Sequence, residues 1–115
     1  MQESILTSVK KMLGIEEEYD HFDMDIILHI NTFFSVLHQM GVGPVEGFQI
    51  TNETQNWSDF ANVSEVSLNI VKNYIYMNVK LVFDPPSSSS TVETYNKLIK
   101  EYEWRLYTDA EFKMG

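Results

Sequence analysis

Asp20, His21, Asp23 and Asp25 are the residues of this chain most suited to chemistry, because carboxylate and imidazole are the ligands that hard and borderline metal ions take. Their spacing lacks the central glycine and distal glutamate of a calcium loop, and no two histidines stand four apart as in zinc proteases. The same acids precede an apolar helical run, where the partial positive charge of a helix start favours them. Acidic capping is the expected role, and no metal is expected. His29 and His38 fall on roughly opposite sides of one helical wheel, so they cannot act together from that helix. No serine sits in a nucleophile elbow, no glycine-rich turn follows a strand to cradle phosphate, and no carboxylate pair lies in an apolar surround. The expectation is a protein that is not an enzyme and carries no cofactor.

Eight Lys and Arg against seventeen Asp and Glu give a formal charge of -9, a balance that repels phosphate backbones and anionic lipid. Lys97, Lys100 and Arg105 form the densest basic group. A solvated face partnered by Glu93, Glu101 and Glu103 is its expected role, rather than a nucleic-acid surface. With no cysteine there is no disulfide, thiolate metal site or thiol nucleophile. Met1 to Leu13 lacks the continuous apolar stretch of a signal peptide. No uncharged apolar run reaches about 18 residues, so no membrane is expected among the partners.

These side chains must be positioned by a single domain spanning residues 1–115, read as all-α and as a small bundle of about four helices. Ser4 caps a first helix carrying Ile5, Leu6, Val9, Met12 and Leu13, which Gly14 ends. The second helix repeats Ile26, Ile27, Ile30, Phe33, Phe34, Leu37 and Met40 at helical steps until Gly41. A long loop with room for a short β-hairpin follows to Phe60, its far end pinned by Trp57 and Phe60 to the core or to a partner. Asn62 with Glu65 forms a capping box for the third helix, the most apolar segment, which runs to Phe83 and suits either the bundle centre or a subunit interface. A strand from Tyr74 to Phe83 is the competing reading. Asp84-Pro85-Pro86 stops the helix. Residues 85–90 then make a flexible tether, and Ser90 with Glu93 caps a last helix whose narrow seam is Val92, Tyr95, Ile99, Tyr102 and Leu106. From Tyr107 onward a polar and aromatic tail is expected to fray.

Aromatic residues make up 13% of the chain, more than four short helices are expected to hide. Phe33, Phe34, Trp57, Tyr74, Tyr76, Phe83, Trp104 and Tyr107 are therefore candidates for contacts with other chains.

The segments ILTSVKKMLGIEEEYDHFDMDIILHIN and NIVKNYIYMNVKLVFDPPSSSS resemble the head-tail connector proteins of long-tailed DNA phages and prophages, over roughly Ile5 to Leu106. In that family a short helix passes through a Leu-Gly-Ile-like turn and an acidic stretch into a long helix, as Leu13, Gly14, Ile15 and then Asp23 to Met40 do here. The Asp84-Pro85-Pro86 break before a closing helix is similar too. The resemblance implies a ring subunit, in about twelve copies, docked beneath the portal protein and joining the DNA-filled head to a tail-side completion or terminator protein. It implies a place in the virion neck, assembly in the host cytoplasm, and DNA only as passing cargo. A contact through Tyr74, Tyr76 and Phe83, with the tether letting the last helix reach a neighbour, would suit such a ring. The alternative reading is a small acidic regulator that binds a host protein.

Overall fold

Ser4 starts α1 (Ile5–Met12): its hydroxyl oxygen accepts the Thr7 N–H at 3.2 Å, satisfying a donor that the helix itself leaves open. A computed structural model of the protein describes residues 3–113. The elements that follow are α2 (Asp23–Gln39), the single turn α3 (Trp57–Phe60), α4 (Glu65–Phe83), α5 (Ser89–Thr108) and the short α6 (Ala110–Lys113). The protein is all-α: the four helices expected from periodicity are α1, α2, α4 and α5. Among the described residues the only β pairing is an isolated bridge between Ser4 and Asn56, so neither the hairpin nor the strand considered for Tyr74 to Phe83 forms.

Both α1 and α2 end by the same device. After Leu13, Gly14 takes φ +80° and donates to Lys11 O, while Ile15 N–H reaches back to Lys10 O at 2.9 Å. After Met40, Gly41 at φ +82° donates to His38 O and Val42 N–H reaches Leu37 O at 2.9 Å. A left-handed residue closing two backward bonds is a Schellman ending, and glycine reaches that conformation without a Cβ penalty. Each ending turns an apolar residue inward, and Val42 is fully buried.

Two other caps lie two residues from where local sequence puts them. Ser64, not Asn62, caps α4, its hydroxyl accepting the Ser67 N–H at 3.2 Å. Ser88, not Ser90, caps α5, accepting from Thr91 N–H at 3.4 Å. Ser89 and Ser90 thus belong to the helix, and the non-helical connection shortens to the residues around Pro85 and Pro86.

α4 is the centre. α2 packs on it, α5 packs on it, and α1 packs on α2, giving an order α1, α2, α4, α5 through the molecule. Val71, Tyr74, Ile75 and Val79 of α4 are buried, and Leu68, Ile70, Met77, Leu81 and Phe83 pack around them, so most of the broad apolar surface of this helix is covered within the protomer, with Val66 and Val82 left exposed. α2 offers Ile26, Ile30, Phe34 and Leu37, one inward stripe at steps of four and three. α5 buries only Ile99 and Leu106 completely.

The segment between α2 and α3 is fastened without a strand. Asn31 Nδ2 donates to Ile50 O at 2.9 Å, and Ile50 N–H donates to Asn31 Oδ1 at 2.8 Å, so one carboxamide gives the buried Ile50 backbone both of its bonds. Trp57 and Phe60 are buried in the protein's own core, the indole N–H donating to Ser8 Oγ at 2.9 Å. The tail beyond Tyr107 is also anchored, since Phe112 is buried and its ring lies 6.3 Å from that of Phe60.

Candidate subunit interface

The eight aromatic candidates divide sharply. Phe34, Trp57 and Tyr74 are 1–2% exposed and serve the interior. They cannot anchor a neighbour, which corrects their place among the contact candidates. The reason is physical: the loop and the tail supply the cover that four helices alone would lack. Phe34 lies 5.0 Å from Phe48 and 4.9 Å from Phe60 between ring centres, and 6.3 Å from Trp57, so chain outside the long helices encloses it. Phe33 and Phe83 are half-buried against the core, Phe83 meeting Phe22 edge-on at 5.3 Å.

Tyr76 is half-buried between α4 and α5, and burial, reinforced by a hydrogen bond with Tyr95, pushes its phenol up to about 12. Tyr74 donates from its hydroxyl to Glu103 Oε2 at 2.9 Å, and burial with that neighbouring carboxylate raises its pKa well above the usual tyrosine value. Both phenols thus tie α4 to α5 inside one chain. Trp104 and Tyr107 alone of the eight stand mostly in solvent, at 67% and 59% exposure.

Those two residues lie on α5, the helix held by the narrowest seam. At about 100° per residue, Lys97, Lys100 and Trp104 point away from Ile99 and Leu106. Glu101 pairs with Arg105 at 2.8 Å, as expected of a solvated face, but Glu103 is engaged by Tyr74. Lys97 and Lys100 make no ion pair among the described residues, although Glu93 stands one turn before Lys97 on the same face.

On the α1 and α2 side the surface is acidic. Lys10 is almost wholly buried, its ammonium 2.8 Å from Asp23 Oδ1 and donating to Glu17 O at 2.9 Å. It fastens the acidic segment between α1 and α2 to the first helix. Asp23 is thus an ion-pair partner, His21 packs edge-on against Phe22 at 4.8 Å, and Asp20 and Asp25 are exposed. Among the described residues no three His, Asp or Glu converge to hold a metal ion. No described helix is long and apolar enough to cross a membrane.

Comparison with known families matches residues 5–113 to the family described as Phage connector protein. The chain belongs to the phage connector family. Its role is that of a structural component of a phage, working among other virion proteins in the neck. No curated protein and no solved structure matches this connector chain. The surface a connector must offer its neighbours was only partly visible to pattern reading. Trp104 and Tyr107 stand out by residue type, whereas the engagement of Glu103 by Tyr74, which takes that carboxylate from Lys100, does not.

Proposed function

We propose that this connector protein is a ring subunit that docks under the portal and joins the DNA-filled capsid to the tail, doing no chemistry of its own. The observation that supports this most is the family match across residues 5–113, on a fold whose last long helix leaves Trp104 uncovered. Copies assemble around the channel in the host cytoplasm, about twelve to a ring, with heterologous contacts in which one face meets a different face of the next subunit. Portal protein lies on the head side and a completion or terminator protein on the tail side. A net charge of -9 suits a channel wall along which DNA moves without being gripped, because like charge repels phosphate.

Light scattering after size exclusion tests the reading, with the chain alone and mixed with portal rings of the same phage. Elution of portal and connector as one species carrying many copies of the chain is the expected result. A chain that elutes separately beside intact portal rings contradicts it.

A further inference from the structure

Of the seven cations whose side chains are described, four have an ion-pair partner. Lys10 pairs with Asp23, Lys72 lies 3.6 Å from Glu3, Lys80 is 3.0 Å from Asp84, and Arg105 is 2.8 Å from Glu101. Lys97 and Lys100 are left, one turn apart on the outer face of α5 and beside Trp104. Lys11 is the other unpaired cation whose side chain is described, and it stands on α1. In a chain of net charge -9, these two unpaired ammonium groups share the outer face of α5 with Trp104, Glu93 and the Glu101–Arg105 pair, which leaves that face with one positive charge in excess.

The complementary surface is on the same molecule. A hollow of about 270 Å³ between α1 and the acidic segment is lined by Glu17, Glu18, Asp20, Asp23 and Glu53, with Lys10 as its cation. That ammonium is already engaged by Asp23 and by the Glu17 carbonyl. Glu17, Glu18, Asp20 and Glu53 are left facing a concave surface with no neutralising charge, and Tyr19 beside them is 51% exposed.

The two surfaces lie at opposite ends of the packing order, α1 and α2 at one end and α5 at the other. The acidic hollow does not pair with a second copy of itself, since like charges would oppose. Each suits the other, and a contact between opposite ends repeats from copy to copy.

We propose that copies of this chain join head to tail, the outer face of α5 seating Lys97 and Lys100 in the acidic hollow between α1 and α2 of the next copy, with Trp104 covering its rim. The inference rests on the ring reading and names the two faces that make the ring.

Mixed unlabelled and isotope-labelled chains, assembled on portal rings and treated with a carbodiimide, give the test, because that reagent joins only amines and carboxylates already in contact. Expected are labelled-to-unlabelled links from Lys97 or Lys100 to Glu17, Glu18, Asp20 or Glu53. K97E/K100E should load onto portal rings at least tenfold less well, as should E17K/E18K, and mixing the two variants should restore loading. All four positions are exposed, and an unchanged circular dichroism spectrum verifies each fold. Rings that load fully with K97E/K100E, or whose chain-to-chain links lie elsewhere, overturn this contact and leave the ring reading standing. Links from Lys97 and Lys100 to portal alone overturn it in favour of portal as the occupant. Chains that bind portal with no chain-to-chain link at all overturn the ring as well.

Discussion

The backbone N–H of Ser64 donates to Oε1 of Glu111 at 2.9 Å, across 47 positions of sequence. In a capping box the residue three places into the helix supplies that acceptor. Here that residue is Ser67, and the missing arm comes from the tail instead. Ser64 Oγ donates to Glu111 Oε2 at 2.7 Å, and Ser67 Oγ lies 2.8 Å from the same oxygen and 2.6 Å from Asp109 Oδ2. The start of α4 and the end of the described chain are thereby one structure.

These bonds, that from the Ser64 hydroxyl first, hold the Glu111 carboxyl below its ordinary value of 4.5. A depressed folded-state value means that the contribution is present above about pH 4.5 and fades as the pH falls through the folded-state value. Thermal unfolding followed from pH 7 to pH 3 should show wild type more stable than Glu111→Gln at the neutral end and the two curves converging at the acid end. Parallel curves would rule the clamp out.

Tyr74 is both a core ring and a hydrogen-bond donor, and two substitutions separate the roles. Tyr74→Phe keeps the ring and should cost about 1 kcal/mol in urea unfolding through the lost bond to Glu103. Tyr74→Ala should cost about 3 to 5 kcal/mol by leaving a cavity in a site 1% exposed. Near-equal losses would place the value of this residue in the hydroxyl.

Alkali should act through the same pair of helices. The folded protein keeps Tyr74 and Tyr76 neutral beyond the ordinary tyrosine value of 10.0, so their contribution is complete below pH 10 and declines as the pH rises past it. Unfolding midpoints measured between pH 8 and pH 11 should fall in wild type and fall less in Tyr76→Phe.

The Asn31 carboxamide should be a sensitive polar position, because among the described residues it alone pairs the Ile50 backbone. Asn31→Ala strands the N–H and C=O of Ile50, which is 1% exposed, at a cost of about 2 kcal/mol. Hydrogen exchange should quicken at Ile50 before it quickens in α4. Unaltered protection of Ile50 would show that another group holds the loop.

Asp23→Asn removes the carboxylate that neutralises a lysine 2% exposed. Breaking a wholly buried pair costs about 3 to 5 kcal/mol, and Asp23 is partly open to water, so a loss of about 2 to 4 kcal/mol is expected in chemical denaturation.

The long helices were legible because apolar residues recur at helical steps and because Gly14, Gly41 and the Asp84-Pro85-Pro86 break punctuate them. Cap positions were less so: Asn62 and Ser64 are both good caps, as are Ser88 and Ser90, and local chemistry cannot choose between them. Tertiary contacts chose, Glu111 favouring Ser64. The hairpin reading failed because Asn31, nineteen residues before Ile50, supplies the pairing that a second strand would have given. At the candidate interface, residue type singled out Trp104 and Tyr107. It could not show that Phe34, Trp57 and Tyr74 are enclosed, since the cover comes from segments without periodicity.

Phe112 touches the ring of Phe60, which in turn lies 5.5 Å from Phe48 and 4.9 Å from Phe34. The tail, the α2–α3 connection and the second helix thus converge on a single phenyl relay. A neighbouring virion protein that drew Phe112 out of its seat would have to disturb the ring beneath it, and the strain would surface at Phe48, on a part of the molecule that neighbour need never touch.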